Sequence, residues 1–137
     1  MNIQFFVDEY ESLAELILSC FKINTTKEEL ISLLQKHPFR SIIAVRNKEV
    51  IGHVMIDSKY DMIKNKHSFF LSYICVKEEE RKKGIGSFLL GSVEQLAKKE
   101  HISTIEFTSG NQRKEAHHLY LKHGYSIKNT SHFIKNI

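Results

Sequence analysis

One proline, six glycines and two cysteines in 137 residues exclude several architectures at once. So little proline and glycine argues against a flexible or low-complexity chain, and no repeat, linker or biased tract interrupts the sequence. Cys20 and Cys75 lie far apart, form no C-x-x-C pair and match no metal spacing. Both are read as buried, reduced thiols of a cytosolic protein. No apolar run approaches the roughly 20 residues of a membrane span. The opening MNIQFFVDEYES turns acidic at Asp8, unlike a secretory signal. A G-x-S-x-G nucleophile elbow, an H-E-x-x-H zinc motif and a G-x-x-x-x-G-K-[S/T] phosphate loop are all absent.

What is present is ordinary for a globular chain: 42% apolar and 26% charged residues, in a length that fits one domain over 1–137. Lys and Arg number 20 against 16 acids, a net charge of +4. That mild excess suits nucleic acid, an acidic cofactor or plain solubility. The acids dilute the cations, and no aromatic RNA-binding motif or helix-turn-helix signal accompanies them, so nucleic acid is not expected as a partner.

Periodicity divides the chain into elements. NIQFF reads as a short strand. Leu13, Leu16, Ile17, Cys20 and Phe21 then recur at helical spacing. TKEELISLLQKHP reads as a second helix, opened by a Thr26/Glu29 capping box and ended with help from Pro38. SIIAVRN and EVIGHVMID read as strands around a tight turn at Asn47-Lys48. HSFFLSYICV is apolar on both faces, with Phe69, Leu71, Tyr73 and Cys75 on one and Phe70, Ile74 and Val76 on the other, as in a strand covered on both sides. From Gly84 to Lys99 a helix carries the stripe Ile85, Phe88, Leu89, Val93 and Leu96. TIEFTS is a strand, RKEAHHLYLKH a short helix closed by Gly124, and YSIKNTSHFIKNI gives one or two closing strands. The order β-α-α-β-β-β-α-β-α-β predicts a mixed α/β domain with a sheet of about six or seven strands.

RKKGIGSFLL, residues 81–90, sits between a buried strand and a helix. Glycines there let a ligand approach the backbone. The helix end adds about half a positive charge, and together these form an anion site beside Arg81, Lys82 and Lys83. A dinucleotide fingerprint would need a third glycine where Leu89 stands. The residues alone fit equally a solvated strand-to-helix connection.

Context extends this. Arg81-x-x-Gly84-x-Gly86 after YICV, followed by TIEFTSGN and AHHLYLKHGY, resembles the acyl-CoA signature and downstream region of the GNAT superfamily of N-acetyltransferases. Asn111, Tyr120, Gly124 and Tyr125 match that region in order. The resemblance implies a GNAT-like acyltransferase fold: a central, mostly antiparallel sheet flanked by about four helices, with strands 4 and 5 splayed apart and a bulge in strand 4. It implies that the pantetheine arm of acetyl-CoA pairs with backbone near Ile74, Cys75 and Val76. The pyrophosphate would rest on amides of Lys82, Lys83, Gly84, Ile85, Gly86 and Ser87 with help from Arg81, and Asn111 would bond the arm. Tyr120 would protonate the leaving thiolate, and Glu106 would take the amine's proton. Asn111 also reads as a turn residue, Tyr120 as a core aromatic and Glu106 as a solvent-facing strand residue.

The activity implied is acetyl transfer from acetyl-CoA to a primary amine of a small molecule, by direct attack in a ternary complex. The A-H-x-x-Y pattern at His117 tilts the acceptor away from peptides. A non-catalytic acyl-CoA binder or sensor, and an enzyme acting on protein amines, are the alternatives. Glu78, Glu79 and Glu80 read as a solvated turn. His117, His118 and His123 share no tetrahedral spacing, so no metal is expected, and Cys75 reads as inert. Tyr60, Tyr73, Asp57 and His53 are the polar candidates for the acceptor pocket. A homodimer is left open.

Overall fold

A computed structural model describes residues 1–37 and 40–137. Its elements are β1 (Asn2–Phe5), α1 (Tyr10–Phe21), α2 (Lys27–Lys36), β2 (Arg40–Arg46), β3 (Glu49–Asp61), β4 (Lys66–Val76), a 3₁₀ turn (Glu78–Glu80), α3 (Ile85–Lys99), β5 (Thr104–Glu106) and α4 (Lys114–Lys122). The strands form one sheet in the order β1-β2-β3-β4-β5. The first four pair antiparallel, and β5 pairs parallel to β4. Parallel neighbours need a crossover, and α3 provides it. The reading of Pro38 as the end of α2 falls outside the described residues.

Local chemistry sets the element ends. Thr26 caps α2 by accepting the Glu29 amide at 3.1 Å. Asn47 and Lys48 both take positive φ, 51° and 65°, which gives the β2–β3 hairpin the twist its strands require. Gly124, at φ 89°, closes α4: its amide bonds Leu121 O and that of Tyr125 bonds Tyr120 O, a Schellman pair.

Apolar cores lie on both sides of the sheet. On one, Ile42, Val54, Ile56, Phe69 and Leu71 meet Leu89, Leu90 and Val93 of α3. On the other, Ile43, Val50 and Cys75 meet Leu13, Leu16 and Ile17 of α1. Ser12 of α1 accepts the Val50 amide at 2.7 Å, fastening that helix to β3. Gly52 lets α3 settle close on β3, since a Cβ there would lie 3.0 Å from Leu89 Cδ1 and 3.2 Å from Ile85 Cγ2.

Four expectations are corrected. The sheet has five strands, because among the described residues YSIKNTSHFIKNI pairs with nothing. Its apolar residues, Ile127, Phe133, Ile134 and Ile137, are few, parted by Ser, Asn and Lys, and exposed. The strand within TIEFTS ends at Glu106. The strand EVIGHVMID runs on to Asp61, whose carboxylate accepts the Ile63 and Lys64 amides and turns the chain. Phe88 is exposed, and Leu90 takes its place in the buried stripe of α3. At about 100° per residue the line from Ile85 through Leu89 and Val93 to buried Ala97 turns toward Leu90 and away from Phe88.

The alternation in β4 also breaks. Met55 faces Ser72 but His53 faces Cys75, so Tyr73 and Ile74 together oppose Val54 in a β-bulge. The extra residue reverses the faces. Tyr73, expected beside Leu71, turns outward, whereas Ile74 and Val76 join the α3 side and Cys75 the α1 side.

Gly52→Val is expected to lower unfolding free energy by about 1–3 kcal/mol through overpacking. Gly91→Ala, with nothing within 4 Å of the added Cβ, should raise it by about 0.5–1 kcal/mol. Urea unfolding followed by circular dichroism checks both.

Candidate active site

The parallel pairing of β4 with β5 lasts three residues: Ser68 with Thr104, Phe69 with Ile105, Phe70 with Glu106. Beyond Phe70 the strands part. β4 continues to Val76 with its β5-side edge open, and the chain from Thr108 to Gly110 swings away. A cleft of about 360 Å³ lies in the fork, bounded by Phe21, Phe70, Tyr73, Ser109, Arg113 and Tyr120. The bulge residue Tyr73 has φ 50°, a left-handed conformation uncommon for a bulky residue. Its ring meets Phe21 edge-on at 5.1 Å.

At the far end of β4 the chain turns through Glu78–Glu80 and reaches α3 by way of Lys82, at φ 64°, and Gly84, at φ 86°. Among the described residues, the amides of 82–87 find no protein acceptor, and no side chain caps α3. Six backbone donors thus surround the positive end of a helix, an arrangement suited to an anion. Two of the three cations have partners of their own. Arg81 Nε donates to Val76 O at 2.9 Å, and Lys83 donates to Glu80 Oε2 at 3.1 Å. Glu80 also accepts from Arg46 at 2.7 Å, and Lys83 followed by Arg46 holds its carboxyl below the ordinary value. The acidic run is thus a cross-braced turn more than a solvated one. Gly86 has a packing duty besides: a Cβ would lie 2.9 Å from Leu119 Cδ2 of α4.

Residues 10–125 match the family model described as Acetyltransferase (GNAT) family. The chain belongs to this family. No curated protein matches it in sequence. Among solved structures, a ribosomal-protein-alanine N-acetyltransferase from Brucella melitensis biovar Abortus 2308 superposes with a TM-score of 0.84 at 16% identity, covering 100% of both chains. An aminoglycoside acetyltransferase from an uncultured soil metagenomic sample gives 0.86 at 15% identity, covering 99% of this chain and 95% of that one. A transcriptional regulator from Bacillus halodurans C-125 gives 0.83 at 17% identity, covering 99% and 98%. At such identities the likeness is one of fold.

In this GNAT chain the sequence-picked residues fall into three groups. Ile74 and Tyr120 line the cleft, while Cys75 and Val76 continue the open strand edge above it. Tyr120 is 7% exposed and packs edge-on against Phe107 at 4.7 Å, so it is a core side chain and a cleft wall together. Burial pushes its phenol above the ordinary value, against a smaller opposing pull from Arg113. Arg81 through Ser87 form the amide-rich end. Asn111 and Glu106 stand apart: both are exposed, neither lines the cleft, and Asn111 sits in the turn before α4. Glu106 marks the fork, as the last residue paired to β4.

Of the acceptor candidates, Tyr73 lines the cleft. His53 is buried, and Asp57 and Tyr60 are exposed, the latter bonded to Asn65 in the hairpin. Sequence reasoning missed Arg113, Ser109, Phe21 and Phe70. Ser109 bonds His117 Nε2 at 3.1 Å, which ties the loop after β5 to α4. Arg113 carried one available signal, a cation at the start of the helix that bears Tyr120. Among the described residues no three His, Cys, Asp or Glu side chains gather, and no helix is long and apolar enough to cross a membrane.

The two thiols meet behind the open edge. Cys20, half-buried at the end of α1, has its sulfur 3.7 Å from Val76 O. The neighbouring Cys75 thiol and, secondarily, Arg81 bring the Cys20 thiol below the ordinary value in spite of burial. The same contact and burial push Cys75 up. Cys75 is also the more buried of the two, so Cys20 is the thiol more open to reagents. Iodoacetamide is expected to alkylate Cys20 first, with a pH–rate midpoint below that of an ordinary thiol that moves up in Cys75→Ala, as read by peptide mass spectrometry.

Proposed function

We propose that this chain is an N-acetyltransferase that transfers an acetyl group from acetyl-CoA to a primary amine of a small molecule, both substrates being bound together. The observation that carries the reading is the fork between β4 and β5. It runs from the Tyr120 ring along an unpaired strand edge toward the acceptor-free amides of 82–87. An open edge suits an arm that carries amides, as in β-augmentation. Amides at a helix end suit a pyrophosphate.

The backbone roles are argued from position, and those of Asn111 and Glu106 from the family resemblance. Backbone groups of Ile74, Cys75 and Val76 pair with the pantetheine arm, and Asn111 bonds it from the loop after β5. The amides of Lys82, Lys83, Gly84, Ile85, Gly86 and Ser87 hold the pyrophosphate. Arg81, with one N–H already on Val76, offers the rest of its fork to the phosphates. Holding both reactants converts an encounter into a unimolecular step.

The amine lone pair then forms the new C–N bond at the thioester carbonyl, the C–S bond breaks, and the departing sulfur takes the Tyr120 proton. A phenol held above its ordinary value keeps that proton until the thiolate develops. Only about one amine in a thousand is free base at pH 7. The surplus proton must therefore leave, and Glu106 at the fork, directly or through ordered water, takes it. His117, beside Tyr120 at a ring separation of 6.4 Å, supports the small-molecule acceptor through the A-H-x-x-Y pattern. The aminoglycoside-acetylating neighbour supports it by analogy. We assign the reaction to the cytoplasm, in keeping with two reduced thiols.

Calorimetry should register acetyl-CoA binding, and thiol release from acetyl-CoA should depend on an added amine. No binding overturns the reading, and binding without turnover on a broad amine panel makes the chain an acyl-CoA binder instead. Tyr120→Phe is expected to lower kcat by about 10²-fold or more while acetyl-CoA Kd stays within about twofold. Gly84→Ala has room for its Cβ but not the φ of 86°. At a strain of roughly 1–2 kcal/mol, Kd should rise about tenfold with little change in kcat at saturation.

A further inference from the structure

We propose that His53 is a positioning residue that holds open the acetyl-CoA slot by fixing the β4 bulge, with Ser41 as its orienting partner. The proposal rests on the acetyltransferase reading above and assigns a role to a residue remote from the reacting atoms.

His53 lies on β3, on the α1 side of the sheet, and is 3% exposed. Its ring bridges two neighbouring strands. Nδ1 is 2.8 Å from the backbone oxygen of Tyr73 on β4, and Nε2 is 2.8 Å from the Ser41 hydroxyl on β2. A carbonyl oxygen only accepts, so the proton sits on Nδ1. Nε2 is then bare and accepts from the Ser41 O–H. One tautomer satisfies both contacts, and Ser41, itself 3% exposed, selects it.

The carbonyl that receives the Nδ1 proton belongs to the residue that makes the bulge. An extra bulge residue drops out of the ladder and leaves its backbone groups in need of partners. Tyr73 is strained as well, a bulky side chain at φ 50°. A buried donor aimed at its oxygen offsets both. The bulge in turn moves Ile74 and Val76 to the α3 side and presents the β4 edge to the cleft. Burial lowers the ring's pKa to about 4, which favours the neutral, single-donor form near pH 7.

His53→Leu keeps a similar volume and removes the donor. His53→Asn places its amide N–H where Nδ1 stood. With acetyl-CoA, His53→Leu is expected to raise Kd by calorimetry and KM by at least about tenfold, with kcat at saturation changed less than threefold. His53→Asn should recover most of the affinity. A structural lesion alone lowers the active fraction, and hence kcat, and leaves Kd and KM in place. Wild-type affinity in folded His53→Leu, or an Asn variant as weak as the Leu variant, overturns the proposal. Should His53→Leu fail to fold, long-range ¹H–¹⁵N spectra of the wild-type protein decide: a protonated Nδ1 supports the relay, and a protonated Nε2 defeats it. Failure of the wild-type protein to bind acetyl-CoA at all defeats the acetyltransferase reading instead, and is distinguished by being present before any substitution.

Discussion

Three rungs of parallel pairing between β4 and β5 are the constraint on which the rest depends. Were the pairing longer, the β4 edge would be satisfied by its neighbour and no slot would exist. Were it absent, β5 and the loop that leads to α4 would have no fixed place. The pairing stops at Phe70 and Glu106, and within three residues β4 bulges at Tyr73. The parting of the strands and the bulge act together: one leaves backbone groups free, the other aims them.

The surrounding layers make such an opening tolerable. A buried strand with an unsatisfied edge costs free energy unless water or a ligand takes its hydrogen bonds. Here β2, β3 and β4 are clamped between α1 and α3, with Leu89, Leu90 and Val93 fully buried on one side and Leu13, Leu16 and Ile17 on the other. That double packing holds β4 from both faces while one of its edges stays free. The short approach from Val76 to Gly84 is likewise braced, by Arg81 on Val76 and by Arg46 and Lys83 on Glu80.

Much of this was legible in the sequence, for identifiable reasons. The helices announced themselves through Leu13–Leu16–Ile17 and Ile85–Leu89–Val93 because helical burial follows a fixed period. Gly84 and Gly124 marked real positive-φ positions. The bulge in strand 4 was implied by the family resemblance and is present, but its place was not readable from residue type: Tyr73 is a good strand former, and nothing in FFLSYICV signals the extra residue that reverses the faces. Its location depends on which partner residue each β4 position meets, a property of β3 as much as β4. Arg113 and Ser109 escaped notice because their nearness to the cleft arises from where β5 ends. YSIKNTSHFIKNI misled in the other direction, since scattered Ile and Phe suggested strands that too few apolar contacts support.

Gly86 has a further consequence. Its missing Cβ lets Leu119 of α4 lie against the first turn of α3, and Leu119 is the residue before Tyr120. The end of the molecule that suits a diphosphate and the end that carries the phenol are therefore in van der Waals contact through one side chain. Their spacing is set by packing between two helices. On the proposed acetyltransferase reading, that contact is a gauge block cut to one length of ligand, and a longer or shorter arm would leave its sulfur out of step with the Tyr120 proton.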